Sequence, residues 1–157
     1  MTDYSGVDRQ NPGRQNPNQQ HEQAKSLPKL EPLLIDGKLN KKNFEETILK
    51  NTAEAIKKVS KSQMRKIFDE IKRFKFQLQE GASWDDIYPL ILMQKAKVSY
   101  LCKRSSETSK NDASYYNNLK TLIFDLINKC SSEKAYEAYV NFMEALYGFY
   151  YEIAEKK

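Results

Sequence analysis

The chain has 157 residues, 39% of them hydrophobic, with a formal net charge of +5 and a mean hydropathy of −0.78. That length fits one domain able to bury its own core, and no run approaches the roughly 20 apolar residues of a membrane span. The start of the chain lacks the apolar block of a signal peptide, so a cytoplasmic location is expected.

Residues 1–26 are rich in Asn, Gln, Pro and Gly, carry almost nothing to bury and are expected to be disordered. His21, the only histidine, falls there. Residues 27–40 are more apolar but broken by Pro28 and Pro32; they read as an irregular segment, docked or free, with a turn at Asp36-Gly37. The expected division is a flexible tail over 1–40 and a helical bundle over 41–157.

Regular structure is expected from Asn43, whose spacing to Glu46 resembles a capping box. Phe44, Ile48, Leu49, Thr52, Ile56 and Val59 then outline a first helix. In the second, Met64, Ile67, Phe68, Ile71, Phe74 and Leu78 recur at intervals of three and four. Ser60 and Gln63 have capping-box spacing at its start, and Gly81 is a natural stop. A third helix from about Tyr88 to Arg104 opens near Pro89 and is apolar over most of its surface, the mark of a central element. Ser105 to Ala113 reads as a polar loop. The fourth helix, about Ser114 to Cys130, has a stripe of Leu119, Leu122, Ile123, Leu126, Ile127 and Cys130. Ser131-Ser132 breaks and recaps the chain. The last helix carries Tyr136, Tyr139, Val140, Met143, Leu146, Tyr147, Tyr150 and Ile153 on one side, with Phe142 and Phe149 on a second face. With no alternating β-branched runs, the fold class is an all-α bundle of about five helices.

Catalysis finds few instruments in this chain. The expected folded part has no histidine, and the acid pairs Glu45-Glu46, Asp69-Glu70 and Asp85-Asp86 are adjacent in sequence, so their side chains diverge on a helix. Asp69 lies four residues from Arg65 and Arg73, and Glu70 four from Lys66, which suits surface ion pairs. No glycine-rich loop is placed to cradle phosphate. Cys102 and Cys130 are too few for a zinc knuckle and read better as buried thiols than as a disulfide. A non-enzymatic protein without cofactor or metal is expected.

Charge placement is more informative. Residues 61–75 hold six bases against two acids and 95–104 hold four against none, whereas 131–157 hold three against five. Such asymmetry suits a polyanion on one side and protein contacts on another. Lys72, Arg73 and Lys75, with acids nearby, fit a solvated face. Lys61, Arg65 and Lys66 gather at a helix start, where a solvated face and a phosphate contact are both open. Lys95, Lys97, Lys103 and Arg104 interrupt an otherwise apolar helix, and Lys97, Tyr100 and Arg104 share a face, as residues lining a groove or interface do. Most tyrosines fall on core stripes; Phe142, Phe149 and Trp84 are expected at the surface, where large apolar groups suggest protein contact.

Three stretches together resemble a known family. Ser62-Gln63-Met64-Arg65-Lys66-Ile67-Phe68 is similar to the T/S-S-Q-hydrophobic-R start of its second helix. Leu92-Met93-Gln94-Lys95-Ala96-Lys97-Val98-Ser99-Tyr100, ending in Arg104, is similar to its L-x-x-K-x-K-hydrophobic-A-Y…R helix. Phe142-Met143-Glu144-Ala145-Leu146-Tyr147-Gly148-Phe149-Tyr150 resembles its aromatic, Glu-Ala-containing last helix. The family is the small helical subunit of type III-A CRISPR effector complexes, the Csm complex, and the likeness spans about residues 44–157. It departs at Leu101-Cys102-Lys103, where small residues are more usual before the Arg. The resemblance implies a non-catalytic subunit of antiviral defence, present in several copies stacked head to tail. Its neighbours would be the repeating backbone subunit and the large polymerase-type subunit, and it would line the channel that holds guide RNA paired to target RNA. Arg65, Lys66, Lys95, Lys97 and Arg104 would then face the RNA backbone. Two alternatives stay open: a helical adaptor that binds only protein, and the small subunit of a related type III effector.

Overall fold

In the computed structural model, which describes residues 23–154, the periodic stretches become five helices. They are α1 (Glu46–Ile56), α2 (Lys61–Gln79), α3 (Trp84–Thr108), α4 (Ala113–Asn128) and α5 (Glu133–Ile153). Single-turn 3-10 segments at Lys41–Phe44 and Lys110–Asp112 lead into α1 and α4. The expected disorder of the first 22 residues lies outside the described residues.

Residues 23–40, assigned above to the flexible tail, follow the bundle surface. The Ala24 amide donates to Ser114 Oγ at 3.0 Å, Asn118 Nδ2 donates to the Lys25 carbonyl at 2.9 Å, and Leu30 and Leu33 enter the core. Strands β1 (Leu34–Ile35) and β2 (Lys38–Leu39) form a minimal antiparallel hairpin. Its turn is Asp36-Gly37, with φ of 53° and 76°, the double left-handed geometry of a tight hairpin turn. Two buried asparagines fasten this segment. Asn43 Oδ1 accepts from the Glu31 amide and Asn43 Nδ2 donates to the Glu31 carbonyl, both at 2.9 Å; Asn40 Nδ2 donates to the Pro32 carbonyl at 2.9 Å. Asn43 therefore does not cap α1, whose N-cap is Glu45 with no side-chain bond. A buried amide facing exposed peptide groups of a passing segment satisfies more polar atoms than a cap would.

Ser60 caps α2, accepting from the Gln63 amide at 3.3 Å. The far end closes in a Schellman motif: Gly81, at φ +106°, donates to the Leu78 carbonyl, and the Ala82 amide donates to the Gln77 carbonyl. Ser83 and Ser132 cap α3 and α5 in the same manner as Ser60.

The centre of the bundle is α5, not α3. Tyr136, Tyr139, Val140, Phe142, Met143, Leu146 and Tyr150 of α5 are all at most 1% exposed, and the helix packs against α1, α2 and α4. In α3, by contrast, only Ile87, Ile91, Gln94, Val98, Cys102 and Ser105 are buried, a single stripe facing α4 and α2. Leu90, Leu92, Met93 and Tyr100 face outward at 39%, 39%, 54% and 65% exposure. Apolar residues scattered around a helix do not determine how many neighbours it has. The α3 helix also begins at Trp84, five residues before Pro89, and runs to Thr108, into the first part of the expected loop. Pro89 is thus its sixth residue and withholds the amide due to the Asp85 carbonyl.

Candidate nucleic-acid interface

Where α2 starts, the chain turns sharply after Val59, and the Ser60 cap sets the helix beside α3 and the beginning of α4. Four polar side chains knit this junction. The Ser60 amide donates to the Tyr116 hydroxyl at 3.1 Å, and that hydroxyl donates to Gln63 Oε1 at 2.5 Å. Ser60 Oγ also donates to Gln63 Oε1 at 3.0 Å, while Gln63 Nε2 donates to Ser105 Oγ at 2.8 Å. Only half of the expected capping box therefore exists: Ser60 caps α2, but the Gln63 side chain turns to α3 and α4 and Tyr116 serves the Ser60 amide.

These residues floor an open groove of about 740 Å³ between α2 and α3. Its walls carry Lys66 from α2 and Lys97, Tyr100 and Arg104 from α3, with Thr108 and Ser109 at one end. Arg104 Nη1 donates to the Tyr100 hydroxyl at 3.2 Å, as the shared face of those two residues leads one to expect. The groove runs on into a smaller cavity of about 120 Å³ lined by Lys66, Glu70, Gln94 and Lys97. There Lys97 Nζ meets Glu70 Oε2 at 2.9 Å, and Arg73 approaches the same oxygen at 3.6 Å. Glu70 thus gathers Lys97 and Arg73 rather than Lys66. The arrangement offers phosphate oxygens three cations and a hydroxyl-lined floor.

The seven candidate cations divide. Lys66, Lys97 and Arg104 converge on the groove. Arg65 is exposed on the outer side of α2. Lys61 lies over the Tyr151 ring, 4.1 Å from its centroid, toward the end of α5. Lys95 turns to α4, bonding to Asn128 Oδ1 and lying 5.6 Å from the Phe124 centroid. Lys103 pairs with Glu107 at 3.8 Å on the outer face of α3. The lining hydroxyls of Ser105, Thr108, Ser109 and Tyr116 went unread in the sequence; the Ser60–Gln63 spacing was the one signal near them.

Of the aromatics expected at the surface, Phe142 is fully buried, edge-on to Phe44 at 6.1 Å. Trp84 is half-buried, stacked on Tyr88 at 5.0 Å, and Phe149 is half-buried with Lys50 5.9 Å from its centroid. Both thiols are buried and free. Burial pushes Cys102 up to about 11 and Cys130 up to about 12, and raises the phenols of Tyr136, Tyr139 and Tyr150. Among the described residues no three His, Cys, Asp or Glu side chains come together to hold a metal, and no helix is long and apolar enough to cross a membrane.

The model of the Csm2 Type III-A family matches residues 38–155. No curated protein and no solved structure matches the chain. Because the family match spans most of the sequence, the chain belongs to the Csm2 type III-A family, the small subunit of the Csm complex, generally a non-catalytic structural subunit.

Proposed function

We propose that this small subunit contacts the backbone of guide and target RNA through the groove between α2 and α3. The observation that carries this reading is the convergence of Lys66, Lys97 and Arg104 on one groove from two helices. Cations that neutralise phosphates bind without reading bases, which suits a complex in which base pairing supplies the sequence. Several copies, head to tail beside the repeating backbone subunit and below the large polymerase-type subunit, would line a continuous channel. The bundle, with Leu30 and Leu33 of the segment before it in its core, docks in the assembly as one unit, and the complex works in the cytoplasm.

The test is RNA binding by the full chain across a salt series. The triple variant Lys66→Ala, Lys97→Ala, Arg104→Ala is expected to bind at least about tenfold more weakly, with a salt slope shallower by about 2, near 0.7 for each phosphate no longer neutralised. Lys95→Ala and Lys103→Ala, on other faces, are expected to change little. Unaltered binding in the triple variant removes the groove from the reading. A second reading, a protein-only adaptor, draws on the exposed Leu90, Met93 and Tyr100 of α3. It predicts association with other effector subunits and no retention of RNA at low salt.

A further inference from the structure

We infer that Glu70 is an internal competitor for the RNA backbone: it holds Lys97 and sets its own charge beside the groove, keeping the groove's affinity for polyanions low. The inference rests on the groove reading above. Among the described residues no acid lines the main groove, where Lys66, Lys97 and Arg104 meet Ser60, Gln63, Ser105 and Tyr116. Glu70 lines the adjoining cavity and shares it with two of those cations, Lys66 and Lys97. It takes Lys97 Nζ at 2.9 Å, so the carboxylate occupies a groove base that a phosphate would otherwise draw on, and it also holds Arg73 Nη2, outside the groove lining, at 3.6 Å.

A carboxylate serving only to aim Lys97 would sit behind it, screened from the ligand. The Glu70 side chain is instead 24% exposed and opens into the same cavity as the cations, so a phosphate meeting Lys66 and Lys97 also meets its charge. Entry of a phosphate requires Lys97 to exchange one anion for another or to bridge both. Either way the gain is smaller than a free lysine gives, because exchange trades one ion pair for a similar one and bridging brings two anions together. Free subunits would thereby hold stray RNA weakly, and contact with a guide–target duplex would depend on many grooves aligned in one assembly.

The experiment uses the full chain, a fluorescent mixed-sequence single-stranded RNA and a salt series. It compares wild type, Glu70→Gln, Lys97→Ala, the double variant and Glu133→Gln. The Gln side chain keeps the shape of Glu70 while removing its charge. Removing one charge about 8 Å from a phosphate, at an effective dielectric constant of about 40, is expected to tighten binding roughly fivefold. The salt slope should steepen by about 0.7, one more phosphate neutralised. Glu133→Gln makes the same change in net charge at the start of α5 and is expected to leave binding unchanged. In the Lys97→Ala background, Glu70→Gln is expected to leave the salt slope unchanged, since the partner it would release is gone, while the relief of direct repulsion remains. Weaker binding in Glu70→Gln overturns the inference and makes Glu70 a positioner of Lys97. Unchanged binding beside a wild type that retains RNA overturns it and leaves the groove reading standing. Failure of wild type and Glu70→Gln alike to bind RNA removes the groove reading, and the competitor with it.

Discussion

Tyr116 gives one hydroxyl to two partners on α2, accepting from the Ser60 amide and donating to Gln63 Oε1. Its ring is 3% exposed, whereas Ser60 and Gln63 are half-buried on the floor of the open groove. Tyr116→Phe keeps the ring packing and strands a helix-start amide. A loss of about 0.5–1.5 kcal/mol is expected in urea unfolding, the net worth of a hydrogen bond whose partners water can partly reach. If the stability is unchanged, Ser60 Oγ and solvent already satisfy both groups. The sequence carried only part of this site. Lys97, Tyr100 and Arg104 could be placed on one face because helical spacing follows directly from chain order. The partners at Ser105 and Tyr116 could not, since Gln63 bonds to residues 42 and 53 positions away and no local pattern encodes such pairs. Lys95 and Lys103 share the α3 sequence with Lys97 yet leave the groove; net charge along a segment does not resolve which side of the helix carries it.

At the scale of the element, the five helices were legible because apolar period, serine caps and the Gly81 stop agree with one another. The boundaries of α3 were the exception. Pro89 suggested a helix start, but Ser83 with Asp85 and Asp86 in the first turn outweighs it: the serine caps the Asp86 amide and the acids suit the positive helix end. The helix therefore forms around a proline that removes one backbone bond from its second turn. Pro89 is exposed, so its ring contributes little to packing. Pro89→Ala is expected to restore the amide-to-Asp85 bond and raise stability by about 1 kcal/mol or more, after allowing for the freer unfolded chain. The measurement is the urea midpoint at constant m value. A lower midpoint would mean that the ring braces the first turns of α3. The outward apolar residues of this helix, Leu90, Met93 and Tyr100, mislead about its centrality for a related reason. Composition counts apolar groups, whereas burial depends on which helices arrive beside them.

For the molecule as a whole, the sequence located the core stripes of α2, α4 and α5 but not the reach of the N-terminal segment. Leu30 and Leu33 are core residues, held by Asn40 and Asn43, whose role is written only in contacts across the fold. The expectation of buried thiols was met, and it has a consequence for the entire unfolding equilibrium. In the unfolded chain both thiols titrate near 9.0, whereas burial pushes Cys102 to about 11 and Cys130 to about 12 in the folded protein. The folded state therefore holds these protons more tightly. Their contribution to stability is fully present below pH 9 and is lost as pH rises through the folded values. Each thiol is expected to contribute a fall of about 1.4 kcal/mol per pH unit across its window. The buried phenols of Tyr136, Tyr139 and Tyr150, raised above 10.0 by the same cause, add to the fall at higher pH. Urea midpoints measured on both sides of pH 9 test this. The Cys102→Ala, Cys130→Ala variant separates the sources: its midpoint should fall less steeply than wild type between the unfolded thiol and phenol values of 9.0 and 10.0, where the thiols act first. Parallel curves for the two proteins would show that the thiolates are solvated in the fold and that the alkaline loss comes from the phenols.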